Sequence, residues 1–229
     1  MKHILSIIIV FICLSQITFA QDLKPTESQA LINVTVTDFK EKPRKGETII
    51  LENTKTKKTF SGISDANGKF SLLIPKGKTY NVKYKNFSDN VDYNKIEIPD
   101  QQGLITSTLT IKIQPPKTYT LKNVFFDTGK ATLKKESYKA LNDLVKVMEL
   151  KNTLVIEIAG HTDNVGSYES NIKLSQDRAN TVRNYLIKNN ISHERVSAKG
   201  YGYSQPVADN STEKGRQQNR RTEVRVIKE

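Results

Sequence analysis

The segment Gln114-Pro115-Pro116-Lys117 separates two stretches of different hydrophobic period, and this change constrains the fold more than any other feature. Before it, apolar and polar residues alternate. Ile32, Val34 and Val36 alternate with Asn33, Thr35 and Thr37. Phe70, Leu72 and Ile74 repeat the pattern, as do Tyr80, Val82 and Tyr84, and then Leu109, Ile111 and Ile113. A period of two places one face of a strand in a core and the other in water. Turn-forming groups punctuate these runs, at Asp65-Ala66-Asn67-Gly68 and Pro75-Lys76-Gly77-Lys78. Residues 21–113 are therefore predicted to form an all-β sandwich. Neither proline can donate an amide hydrogen, and each pushes the residue before it away from helix. Residues 114–118 are thus read as a stiff linker.

Beyond the linker the period becomes helical. Val124-Phe125-Phe126 reads as a short strand. Leu141, Leu144, Val145 and Met148 then recur at helical spacing, with Thr132 as the expected N-cap and Glu136 as an early acid. Leu154, Ile156 and Ile158 mark a strand ending at Gly160. Ala179, Val182 and Leu186 form the stripe of a second helix that ends near Asn189 and Asn190. Residues 195–199 read as another strand, and Val224 and Val226 mark the last. Strands alternating with helices over 119–229 predict an α/β sandwich, giving a two-domain chain.

The destination of the chain decides how its charge is read. Lys2 and His3 precede an almost wholly apolar run, residues 4–14, and Thr18-Phe19-Ala20 offers small residues for cleavage. Residues 1–20 are predicted to be a secretory signal peptide. The single cysteine, Cys13, lies within it behind Phe11 and Ile12, where a lipoprotein signal would place small residues. No lipid anchor is expected, and no disulfide framework is possible. No later stretch is apolar enough to span a bilayer as a helix. A net charge of +12 would suggest nucleic acid in a cytosolic protein. In an exported one, with the excess spread over both halves, it suits anionic envelope surfaces instead.

The chemistry concentrates in residues 160–182, GHTDNVGSYESNIKLSQDRANTV. Asp163 follows a buried strand, in a loop between Gly160 and Gly166. Arg178 lies in the helix that follows, and helical side chains lean toward the N-terminus, so its guanidinium can reach back toward that loop. The helix end adds free amides and a partial positive charge. Such a site suits a zwitterion, the carboxylate taking an ammonium and the planar fork a carboxylate. An ordinary surface ion pair explains the same two residues. His161 and His193 lack HExxH spacing, and no nucleophile, base and orienter stand together, so neither a metal site nor a catalytic site is read here. No cofactor is expected. Arg216, Arg220 and Arg221 form a basic cluster, read as a solvated face and strand start.

These residues also carry a resemblance. Residues 160–182, with VFFDTGKATLKKES before and RVSAKGYGYSQP, NSTEKGRQQNRR and TEVRV after, resemble the OmpA-like C-terminal domain found in peptidoglycan-associated lipoproteins and flagellar stator proteins. The resemblance implies a βαβα-type domain with a mixed sheet that binds peptidoglycan non-covalently, gripping the diaminopimelate of the stem peptide. It places the main contacts on Asp163 of GHTD and Arg178 of LSQDRA. Supporting pocket positions fall on Thr128, Gly129, Asn171 and Arg220. Gly129 stands where many relatives carry a side chain, so any contact there is made by backbone or is absent.

The N-terminal half, with SDANGKF at 64–70, is similar to the carboxypeptidase-regulatory-like, transthyretin-like β-sandwich, which implies a non-catalytic module. Asp65, Asn67 and Gly68 are read as turn geometry rather than as a calcium or sugar site. The expectation is a Gram-negative periplasmic protein, associated with the outer membrane, that links diaminopimelate-type peptidoglycan to that membrane or to an envelope protein held by the sandwich. The alternatives are an adaptor whose sandwich captures protein or carbohydrate, and a wall-associated hydrolase.

Overall fold

In the N-terminal half the alternating residues build two sheets around one core. The computed structural model describes residues 23–87 and 89–229, so the predicted signal peptide and Cys13 lie outside the described residues. The strands are β1 (Gln29–Thr37), β2 (Thr48–Asn53), β3 (Thr59–Ile63), β4 (Lys69–Pro75), β5 (Lys78–Lys85), β6 (Asn90–Ile98) and β7 (Thr106–Lys112). One sheet has the order β4-β1-β7, with β7 parallel to β1, and the other is antiparallel in the order β3-β2-β5-β6. Ile32, Val34, Val36, Ile74 and Ile111 of the first meet Ile49, Leu51, Tyr80 and Val82 of the second in one buried cluster. The Asp65 carboxylate accepts from the amides of Asn67 and Lys69, both at 2.8 Å, so it closes the turn before β4.

Residues 113–117 carry no regular structure, and strand β8 (Thr118–Thr120) begins inside the segment read as linker. The strand predicted at Val124-Phe125-Phe126 does not form. The Ser137 hydroxyl accepts from the Phe125 amide at 2.8 Å and donates to the Phe125 carbonyl at 2.9 Å, so that amide is taken by a side chain rather than by a neighbouring strand, and the carbonyl is shared with the Lys134 amide at 2.9 Å. Only Phe126 makes an isolated bridge, to Leu133. The predicted N-cap at Thr132 is likewise displaced. Its carbonyl accepts from Asp127 at 3.0 Å, and helix α1 (Ser137–Leu150) starts behind Glu136, which makes no side-chain cap.

Strand β9 (Val155–Gly160), helix α2 (Tyr168–Lys188), strand β10 (Val196–Gly200), helix α3 (Glu213–Asn219) and strand β11 (Thr222–Lys228) complete the chain. The sheet order is β10-β9-β11-β8, with β10 parallel to β9 and β11 antiparallel to both β9 and β8. Leu141, Leu144 and Met148 of α1 and Ala179, Val182 and Leu186 of α2 bury against Ile156, Ile158 and Val224. Helix α3 was not anticipated. Its mark is Thr212, whose hydroxyl accepts from Gly215 at 3.0 Å, but seven residues including a glycine give little periodic signal.

The halves keep separate cores yet touch extensively. Glu47, 3% exposed, pairs with Arg44 at 2.7 Å and with Lys151 at 2.8 Å. Arg44 also grips Glu229 through both terminal nitrogens, at 3.0 and 3.1 Å. Phe87, from the N-terminal half, belongs to the C-terminal core.

Candidate functional site

The site is built where β9 ends against α2. Gly160 and Gly200 close β9 and β10, and a Cβ on either would run into α2 backbone, at Ser175 and Gln176 respectively. Their lack of side chains lets the helix lie directly across the strand ends. The loop leaving β9 then carries His161, Thr162 and Asp163 beneath that helix, all buried. Asn171 stitches the loop to α2, donating to the carbonyls of Val165 at 2.9 Å and Ser167 at 3.1 Å. The Ser167 hydroxyl caps the helix by accepting from Ser170 at 3.2 Å, and the Asn171 amide bonds to the Ser167 carbonyl. The Ser170 amide, one of those expected to be free at this helix end, is therefore already engaged.

Asp163 accepts from the Val165 amide at 3.1 Å and from Arg220 at 2.6 Å. Arg220 sits at the C-cap of α3, and its second arm donates to Glu213 at 2.8 Å. The carboxylates of Asp163 and Glu213 raise the Arg220 pKa above its ordinary value. Arg178 reaches elsewhere. Its Nε donates to the Lys130 carbonyl at 2.9 Å, a terminal nitrogen lies 3.5 Å from the Asp127 carbonyl, and the guanidinium stands 5.1 Å from the Phe126 ring centroid. Burial lowers its pKa, opposed by the field of Asp163 and reinforced by that of Arg220. Arg178 thus senses Asp163 without ion pairing to it.

The turn that receives Arg178 also carries Thr128 and Gly129. Gly129 has φ +67°, and the space where its side chain would stand is open. Thr128, Gly129, Asp163, Asn171, Arg178 and Arg220 all line one cleft of about 1260 Å³. Asn171 acts mainly through the loop, being 4% exposed. Sequence reasoning missed Glu213 of α3 and Lys122 and Lys134 on the same cleft, and read Arg216 only as part of a solvated basic face. The lining carries six cations, counting Arg221, and two anions.

The neighbouring charges are internally matched. Arg216 pairs with Glu213 at 2.7 Å, and Arg221 with Glu223 at 2.7 Å. His161, stacked on Tyr201, has Nε2 at 3.3 Å from Glu223, and its Nδ1 is buried without a partner. Among the described residues no three His, Cys, Asp or Glu side chains are grouped to hold a metal ion.

Residues 125–220 match the OmpA family. The outer membrane porin F of Pseudomonas fluorescens is 44% identical over 104 residues, which is 45% of this chain and 32% of the porin. The outer membrane protein A of Bordetella avium is 35% identical over 105 residues, 46% of this chain and 54% of that protein. Among solved structures, the peptidoglycan-associated lipoprotein from Burkholderia pseudomallei is 26% identical with a TM-score of 0.43, covering 49% of this chain and 90% of that one. The chain spans about a third of the porin and about half of the Bordetella protein.

Proposed function

Taking residues 125–220 as the OmpA-family domain that they match, we propose that this protein holds peptidoglycan non-covalently by the free end of diaminopimelate in the stem peptide. It works as a binding protein of the cell envelope and catalyses no reaction. Asp163 receives the α-ammonium and Arg178 the α-carboxylate. One observation carries the assignment: Arg178 lines an open cleft with carbonyl partners and a ring but no carboxylate among its described contacts. A half-buried guanidinium in that state gains most from a planar anion. Asp163 already holds Arg220, whose fork also binds Glu213. Arg220 can therefore shift toward Glu213 when an ammonium arrives, without leaving a charge unpaired.

Two charge-assisted contacts contribute about 3 to 6 kcal/mol gross, before the entropy of association. Binding of a single stem is then weak, on the order of micromolar to millimolar. Repeated stems along the wall allow rebinding, and attachment at the outer membrane would add avidity. A lysine-type wall lacks the second carboxylate, leaves Arg178 unpaired and is rejected. Thr128, Gly129 and Asn171 shape the pocket. Residues 21–113 form a separate β-sandwich module joined to the binding domain, 119–229, and the exported protein works in the periplasm. The outer-membrane names of its relatives support that location.

Sedimentation with purified sacculi tests this. Wild type is expected to pellet with diaminopimelate-type and not lysine-type walls, and Asp163→Ala and Arg178→Ala to stay in the supernatant. Equal pelleting of the variants would refute the site, and pelleting with both walls would refute the selectivity.

A further inference from the structure

One wall of the cleft is the turn at residues 121–124, which leads from β8 toward the Arg178-binding loop. Asn123 within it has φ +61°, the left-handed conformation that asparagine adopts more readily than other non-glycine residues, and it sharpens the turn. Leu121 is 4% exposed, and its amide donates to the Thr222 carbonyl at 2.8 Å. The rest of the support comes from the other half of the chain. Phe87, 6% exposed, meets Tyr119 edge to face with ring centroids 4.5 Å apart, two residues before Leu121. Asp89 holds the Lys122 ammonium at 2.9 Å. The pairs made by Glu47 with Lys151, by Arg44 with Glu229 and by Lys85 with Asp143 keep the halves from separating around this contact.

We propose that Phe87 and Asp89 are positioning residues for peptidoglycan binding. They buttress the 121–124 turn from behind, so the N-terminal half sets the shape of the cleft as well as extending from it. The proposal rests on the functional reading above for its ligand, while its structural core stands without one. Neither residue lines the cleft, so each acts through the turn. An aromatic side chain lost from a packed core leaves space that its neighbours fill only partly; Tyr119, the ring against Phe87, is the neighbour that would move, and Leu121 of the same core follows two residues later.

The test uses the full chain with diaminopimelate-type sacculi and compares wild type with Phe87→Ala, Phe87→Leu, Leu72→Ala and Asp163→Ala. Phe87→Ala is expected to weaken binding about tenfold, and Phe87→Leu to recover most of it, since a site loosened by about 1 Å loses much of its affinity. Leu72→Ala empties part of the other core and is expected to leave the affinity of the folded protein unchanged. Amide hydrogen exchange supplies a reading that needs no ligand. In Phe87→Ala, protection at Leu121 is expected to fall about tenfold, while Ile32 keeps its protection. If Phe87→Ala does not fold, Phe87→Val takes its place in both measurements. Wild-type affinity in the folded variant, or unchanged protection at Leu121, would overturn the proposal. If wild type itself fails to pellet, the functional reading fails, and the exchange result alone decides whether the turn is buttressed.

Discussion

Acidification should destabilise this protein through His161 between pH 6.5 and about 4. The imidazole is 2% exposed and stacks on Tyr201 with an interplanar angle of 11°. Burial lowers its pKa to about 4, and the Arg221 and Arg225 guanidinium groups add to the effect against the single opposing carboxylate of Glu223. An Nε2–H tautomer donates to Glu223 and leaves Nδ1 with no group to receive a proton's charge. In the unfolded chain the same side chain titrates near 6.5, so between that value and about 4 the unfolded state binds the extra proton. Stability must then fall as pH drops through this window and level off below it, by about 3 kcal/mol in total. Glu223, held below its ordinary pKa by Arg225 and Arg221 against the effect of burial, contributes in the same direction at lower pH. The assay is urea unfolding of wild type and His161→Gln at half-unit steps from pH 7.5 to 4. The variant should lose most of the slope between pH 6.5 and 4.5, whatever its stability at pH 7.5. Identical slopes in the two proteins would refute the claim that this imidazole is folded in its neutral form.

Two other substitutions probe the contacts that hold the site and the halves together. Glu47→Gln removes the anion shared by Arg44 and Lys151 in a buried setting, and urea unfolding should show a loss of about 3 kcal/mol, as for other broken buried pairs; a loss below about 1 kcal/mol would mean that the pair contributes as little as a surface one. Asn219, fully buried, accepts from the Val207 and Ala208 amides at 2.8 and 3.0 Å and donates to the Ala208 carbonyl at 2.8 Å. Asn219→Ala should cost about 2 to 4 kcal/mol and speed hydrogen exchange at Ala208 and at Val207, which lines the cleft.

How much of this was legible in the sequence depends on the range of the interaction concerned. The alternation of Ile32, Val34 and Val36 and the helical stripe of Ala179, Val182 and Leu186 are local signals, and their side chains are buried as the period requires. Val124-Phe125-Phe126 has a strand's composition, but Ser137 captures the Phe125 backbone, and nothing within that triplet announces it. Thr132 has a capping side chain, yet its backbone pairs back onto Asp127. Helix α3 was too short to read by period, so Glu213 was missed along with it.

Local patterning along the chain settles where strands give way to helices, which faces are apolar, and that an acid and a guanidinium flank the N-terminal turns of α2. Those properties follow from backbone geometry and from spacings of two to four residues. The partners of those groups depend on how the chain folds. The fold gave Asp163 to Arg220, 57 residues away, left Arg178 on the carbonyls of residues 127 and 130, and drew Phe87 across into the second core. Charge, polarity and ring shape are written residue by residue. The distances over which they act are set only when two cores pack against each other.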